Sequence, residues 1–176
     1  TLEEVCEVPL EEVGRLAEGS QEVSTVVALG VTGAAGGQFL ISIDDAGAAL
    51  LVGMLLNRSP RPIAEWGEME YSVLTETGNI LGSAYLNALT AITGERLFPT
   101  PPQLLRDYLT SILEQAVLSQ AYDSDSVLSA RTGFRHRTER VEWHLLFVPS
   151  PEMLQLLRSV PIKAASTVDS AGLSLR

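Results

Sequence analysis

The chain has 176 residues, 45% of them hydrophobic, and a formal net charge of −10. That length is enough for one domain with a real core, and the acidic balance argues against a nucleic-acid binder or an anionic-membrane binder. A single cysteine, Cys6, excludes an internal disulfide framework. The longest apolar run, AALLVGMLL at 48–56, is too short to cross a bilayer. Together these features place the chain as a soluble protein of the cytoplasm. It begins with Thr1 rather than Met, which fits a processed product or a piece of a longer chain.

The residues EEVCEV (3–8) alternate weakly and read as a strand ended by Pro9. LEEVGRLAEG (10–19) fits a helical turn or an irregular strand. STVVALGV (24–31) is rich in β-branched residues and predicts a strand. With the turn TGAAGG (32–37) and QFLISI (38–43) it forms a hairpin. Asp44 and Asp45 then stand as helix caps before AGAALLVGMLLN (46–57).

After the loop NRSPRP, residues 63–94 form the longest helical pattern, with Pro before it and Gly94 at its end. ERLFPTPP (95–102) is a Pro-rich connector, and 103–121 predicts another helix. A second hairpin spans 126–137 and 141–148, followed by a short helix at 149–160. Residues 161–176 are small and polar and read as a mobile tail. The two hairpin–helix units form a weak internal repeat, with FLISIDDAGAAL over LLFVPSPEMLQL. By that symmetry, a helix like 63–94 belongs upstream of Thr1.

The long helix carries an unusual pattern. Glu65, Glu68, Ser72, Glu76, Asn79 and Ser83 recur every three or four residues and share one face. Met69, Val73, Leu74, Ile80, Leu81, Ala84 and Ala88 fall on other faces and are expected to supply the core contact. Gly78 and Gly82 lie four apart beside the stripe, although each costs about 1 kcal/mol relative to Ala within a helix. Two readings fit. The stripe can be a solvated face, with glycines for close helix packing. Alternatively, Glu76 and Asn79, one turn apart, make a polar claw. Such a pair lacks the ligand count for a metal. A carboxamide, however, can orient a water by donating and accepting at once, and a carboxylate can hold a cation on a partner.

The pattern Ser72-x-x-x-Glu76-x-x-Asn79, followed after 22 intervening residues by Pro102, resembles the signature of the CheC/CheX/FliY family of chemotaxis phosphatases, CheC-like members in particular. The words ETGNILGSAYLNAL and LFPTPPQLL and the hairpin–helix order support the resemblance over residues 3 to 160. It implies an α/β fold in an α+β layer arrangement. That fold is a pseudo-twofold repeat of hairpin–helix units, with long helices on a mainly antiparallel sheet. It implies one domain over 1–160 and a phosphatase that hydrolyses the aspartyl phosphate of a CheY-type response regulator, ending a two-component signal. Asn79 would position the attacking water, Glu76 would pair with the regulator's lysine, and Ser72 would make a supporting contact. Gly78, Gly82 and Ser83 would line the substrate-binding surface, and Pro102 would be structural. Mg²⁺ would come with the regulator, leaving no cofactor in this chain. Many CheC-type members carry two E-x-x-N helices, and this chain shows one; Pro9 would then mark the first copy. CheX-type relatives pair as dimers, so a homodimer is possible. The alternative is a non-catalytic flagellar-switch or adaptor module that binds the phosphorylated regulator or a CheD-type deamidase.

Other candidates read as structural. Arg131, Arg135, Arg137 and Arg140 fit exposed strand charge that discourages edge pairing. His136 and His144 lack a metal-ligand arrangement, and Cys6 reads as a buried small side chain. TGAAGG lacks the Lys and the following helix of a phosphate loop.

Overall fold

The computed structural model describes residues 2–9, 23–120, 126–136 and 139–160. Among them one antiparallel sheet organises the molecule. Its strands are β1 (Leu2–Pro9), β2 (Val23–Gly33), β3 (Gly37–Ile43), β4 (Leu97–Pro99), β5 (Gln103–Tyr108), β6 (Ser126–His136) and β7 (Glu139–Pro149). The order is β1-β6-β7-β3-β2, and β4 and β5 share the outer edge of β2. Among the described residues four α-helices accompany it: α1 (Asp45–Leu55), α2 (Glu68–Thr93), α3 (Leu109–Gln120) and α4 (Pro151–Ser159). The expected antiparallel sheet with long helices packed on it is therefore present.

Strand alternation sends the residues of β2, β3 and β7 to two cores. Val27, Leu29, Phe39, Ile41, Leu145 and Phe147 face one side, where Leu74 and Leu86 of α2, Ala48 and Val52 of α1 and Met153 of α4 cover them. Phe39 and Phe147 are cross-strand partners with stacked rings 4.5 Å apart. Val26, Ala28, Leu40, Leu146 and Val148 face the other side and meet Leu109, Ile112, Leu113 and Ala116 of α3.

The internal repeat is geometric as well as sequential. Leu40 and Leu146, equated by the alignment of the two units, pair with each other at the centre of the sheet. A pseudo-twofold axis therefore passes between them. The capping residues agree: Asp44 accepts a hydrogen bond from Gly47 N, and Ser150 accepts one from Met153 N, each at the equivalent helix start.

Three sequence expectations need correction. Residues 103–108 are a strand, not the start of a helix. The interior strand β2 needs an antiparallel partner for its buried backbone, and β5 supplies it from Val23↔Tyr108 to Ala28↔Gln103. The preceding Pro101 and Pro102 favour the extended backbone that delivers it. The Pro-rich connector is not wholly irregular, since Leu97–Pro99 pairs with Val31–Gly33. The long helix starts at Glu68, after a separate 3₁₀ turn at Ile63–Glu65. Residues 10–19 and 161–176 lie outside the described residues. The arginine-bearing hairpin is internal up to Thr132, where β6 pairs with both β1 and β7. Arg135 and Arg140 face each other in register beyond the reach of β1.

Candidate functional site

Helix α2 is held at both ends. Its first turn lacks a side-chain cap, because the N-cap is Gly67. Glu70, three residues in, reaches back and accepts from Gly67 N at 3.1 Å. The same carboxylate is 5% exposed and bonded to Arg58, with Arg61 at 3.6 Å. Its pKa is held below the ordinary carboxylate range. Hydrogen bonding from its own backbone N–H is the largest cause, followed, against opposing desolvation, by the Gly67 N–H and the Arg58 charge. Trp66 adds a bond from Nε1 to the Arg61 carbonyl and an edge-to-face contact with Tyr71 at 5.4 Å. At the far end Gly94 adopts φ +75° and its N–H closes on Thr90 O.

Two glycines set the height of α2 above the sheet. Gly78 and Gly82 are buried, not displayed beside the polar stripe. A Cβ on Gly78 would lie 2.6 Å from Val27 Cβ, and one on Gly82 would lie 2.9 Å from Leu29 Cδ1. Their place in the expected substrate-binding surface is therefore corrected: they face the core, where the missing side chains let the helix backbone reach β2. Thr75 and Thr77, on the flanks, return their hydroxyls to the carbonyls of Tyr71 and Val73. A cavity of about 10 Å³ beneath the helix, lined by Val27, Ile41, Leu51, Leu74 and Trp143 among others, is apolar and no larger than one water. It offers no substrate pocket.

The opposite face of α2 is turned to solvent. Ser72 and Glu76 are exposed, and Asn79 and Ser83 are half-exposed. Asn79 Nδ2 donates to Glu76 Oε2 at 3.5 Å, a long bond that joins the two members of the claw. Glu68 begins this outward row, whereas Glu65 sits in the separate 3₁₀ turn. Met69, Ile80, Ala84 and Ala88 do not supply core contact as expected; all four are exposed. Leu74 is buried, and Val73 and Leu81 pack against the core. Pro102 lies off the helix, at the entry to β5. Just before it, Thr100 Oγ1 accepts from Gly30 N at 2.9 Å and Thr100 N donates to Gly30 O, clamping the connector to β2. His144 stands on β7 opposite Ser42 and Arg131. The side chains of Cys6, His136 and Arg137 are outside the described residues. Among the described residues no group of three or more His, Cys, Asp or Glu side chains could hold a metal.

Sequence reasoning missed the Glu70–Arg58 anchor. Its signal was present as Gly67 followed by Glu at the third helical position, but a helix begun at residue 63 hid it.

No family model matches the chain. Over 99 residues it is 27% identical to the CheY-P phosphatase CheC of Bacillus subtilis (strain 168), covering 54% of this chain and 47% of that one. The match thus spans about half the length of the curated relative. Solved structures share the fold. FliY of Thermotoga maritima superposes with a TM-score of 0.68 at 12% identity, over 90% of this chain and 79% of that one. A CheX–CheY complex with BeF3 and Mg from Borrelia burgdorferi gives 0.50 at 21% identity, over 73% and 75%. This is the fold of the CheC/CheX/FliY family. A FliM–SpeE complex from H. pylori gives 0.67 at 13% identity, over 93% and 80%, so FliM shares this fold as well. Among the described residues no helix is long and apolar enough to cross a membrane.

Proposed function

We propose that this protein hydrolyses the aspartyl phosphate of a CheY-type response regulator. The observation that carries the reading is the outward placement of Glu76 and Asn79, joined at 3.5 Å on an anchored helix with Ser72 in the same row. The likeness to CheC supports the reaction, and the neighbouring CheX–CheY complex supports the partner.

The chemistry asks little of the protein beyond placement. Water oxygen attacks phosphorus in line, the bond from phosphorus to the aspartyl oxygen breaks, and a carboxylate and inorganic phosphate result. Asn79 accepts from and donates to that water, fixing its approach. Glu76 holds the regulator's lysine, which orients the two proteins. Ser72 supports the contact, with Ser83 at its edge. The long Asn79–Glu76 bond is weak enough to be exchanged for these partners. Rate enhancement then comes from positioning. Mg²⁺ enters with the regulator as part of the substrate.

The test is a dephosphorylation time course of a phosphorylated CheY-type regulator with Mg²⁺, alone, with this chain, and with its Asn79→Ala variant. Acceleration by the parent and none by the variant is the expected result. Equal acceleration by both would refute the role of Asn79. A second reading, a non-catalytic switch or adaptor module that binds the phosphorylated regulator or a CheD-type deamidase, draws on the likeness to FliM. It predicts binding with no acceleration.

A further inference from the structure

The outward line of α2 mixes two kinds of residue. At 3.6 residues per turn, Met69, Glu76, Ile80 and Ser83 fall along one crest, with Ser72 and Asn79 beside it. Met69 is 62% exposed and Ile80 is 60% exposed. Large apolar side chains on the crest of a folded helix lose free energy to water unless something covers them. These two bracket Glu76, and about 16 Å separates them along the axis. The helix carries Glu68, Glu70 and Glu76 and no Lys or Arg. Glu70 is buried against Arg58, so the exposed charges of α2 are both negative, at Glu68 beside the crest and Glu76 on it.

We infer that Met69 and Ile80 are apolar contact residues for the partner regulator and set how tightly this chain selects it. The inference rests on the proposed partner, not on catalysis. The matching surface is an apolar rim around a basic phosphoacceptor pocket: the rim covers Met69 and Ile80, and the lysine meets Glu76. An amphipathic helix laid into such a depression is a common recognition mode, read through anchors spaced along one face. Met suits it, since its unbranched thioether adapts to an irregular surface. Both residues would govern affinity without touching the reacting atoms, so they are specificity residues rather than catalytic ones.

Ile92 supplies an internal control. It is 57% exposed on the same helix. It lies about 18 Å beyond Ile80 and a third of a turn away from the crest.

The experiment measures binding of a beryllofluoride-activated CheY-type regulator with Mg²⁺ by titration calorimetry. The titrated proteins are the parent, Met69→Ser, Ile80→Ser, Ile92→Ser and Asn79→Ala, with thermal melting to confirm that each is folded. Weakening by about tenfold for Met69→Ser and for Ile80→Ser is expected, as for truncation of an interface anchor. Ile92→Ser should stay within about twofold. If the two crest variants bind like the parent, or if Ile92→Ser weakens binding equally, the inference is overturned. A parent that does not bind the regulator overturns it too. Hydrolysis by the same proteins separates the two claims. If Asn79→Ala still accelerates hydrolysis while the crest variants lose affinity, the catalytic assignment fails and the contact assignment stands.

Discussion

The glycines of α2 make a sharp prediction, because two similar substitutions should have different consequences. In Gly78→Ala the new methyl would lie 2.6 Å from both Cβ and Cγ1 of Val27. Carbon atoms pack comfortably at about 3.5–4.0 Å, so roughly 1 Å must be found. Val27 Cβ is fixed to the backbone of β2, which is paired on both sides, so the helix must lift. Overpacking of this kind costs about 1–3 kcal/mol. Replacing Gly by Ala within a helix returns about 1 kcal/mol. The net loss is about 1 kcal/mol, or a fall in Tm of about 2–4 °C for a domain of this size. In Gly82→Ala the methyl meets Leu29 Cδ1 at 2.9 Å and Cδ2 at 3.1 Å. Those atoms end a side chain that can turn, so the helix-propensity gain offsets most of the clash and the change is about zero. Thermal and urea unfolding of both variants against the parent tests this. Gly78→Ala should be the less stable of the two. A Gly78→Ala protein as stable as the parent, or a Gly82→Ala protein that falls as far, would refute the seating of α2 through Gly78.

Two further substitutions probe the supports of the site. Glu70 has a lowered pKa in the folded chain, so its contribution is present above the ordinary carboxylate range near 4.5 and is lost as pH falls through the lower folded value. Glu70→Gln should therefore be less stable than the parent at pH 7, and the gap should close on acidification; melting curves from pH 7 to pH 3 that stay parallel would contradict this. Thr100→Val removes the acceptor for Gly30 N and should cost about 1–3 kcal/mol. Urea unfolding measures the loss, and an unchanged midpoint would show that the clamp is not stabilising.

Local chemistry wrote much of this protein into its sequence. The β-branched run at 24–31, the cap Asp44 and the terminating Gly94 act through neighbouring residues, so hairpins and helices could be read directly. The repeat was legible because both units reuse the same order of strand, cap and helix. The spacing of Ser72, Glu76, Asn79 and Ser83 also marked one face, because helical periodicity is a local property.

Which way that face points was a tertiary matter. Periodicity groups residues around an axis but does not say which group meets the sheet. Gly78 and Gly82 read as surface features until Val27 and Leu29 showed them to be the seat of the helix. Met69 and Ile80 read as core residues until packing left them in water. Likewise QLLRDY has helix-forming residues, yet becomes a strand because β2 needs a hydrogen-bonding partner along that edge. Composition and spacing determined most of the elements and the row of chemical groups. Only the packing of α2 on the sheet, set by contacts distant in sequence, decided that Glu76 and Asn79 face outward.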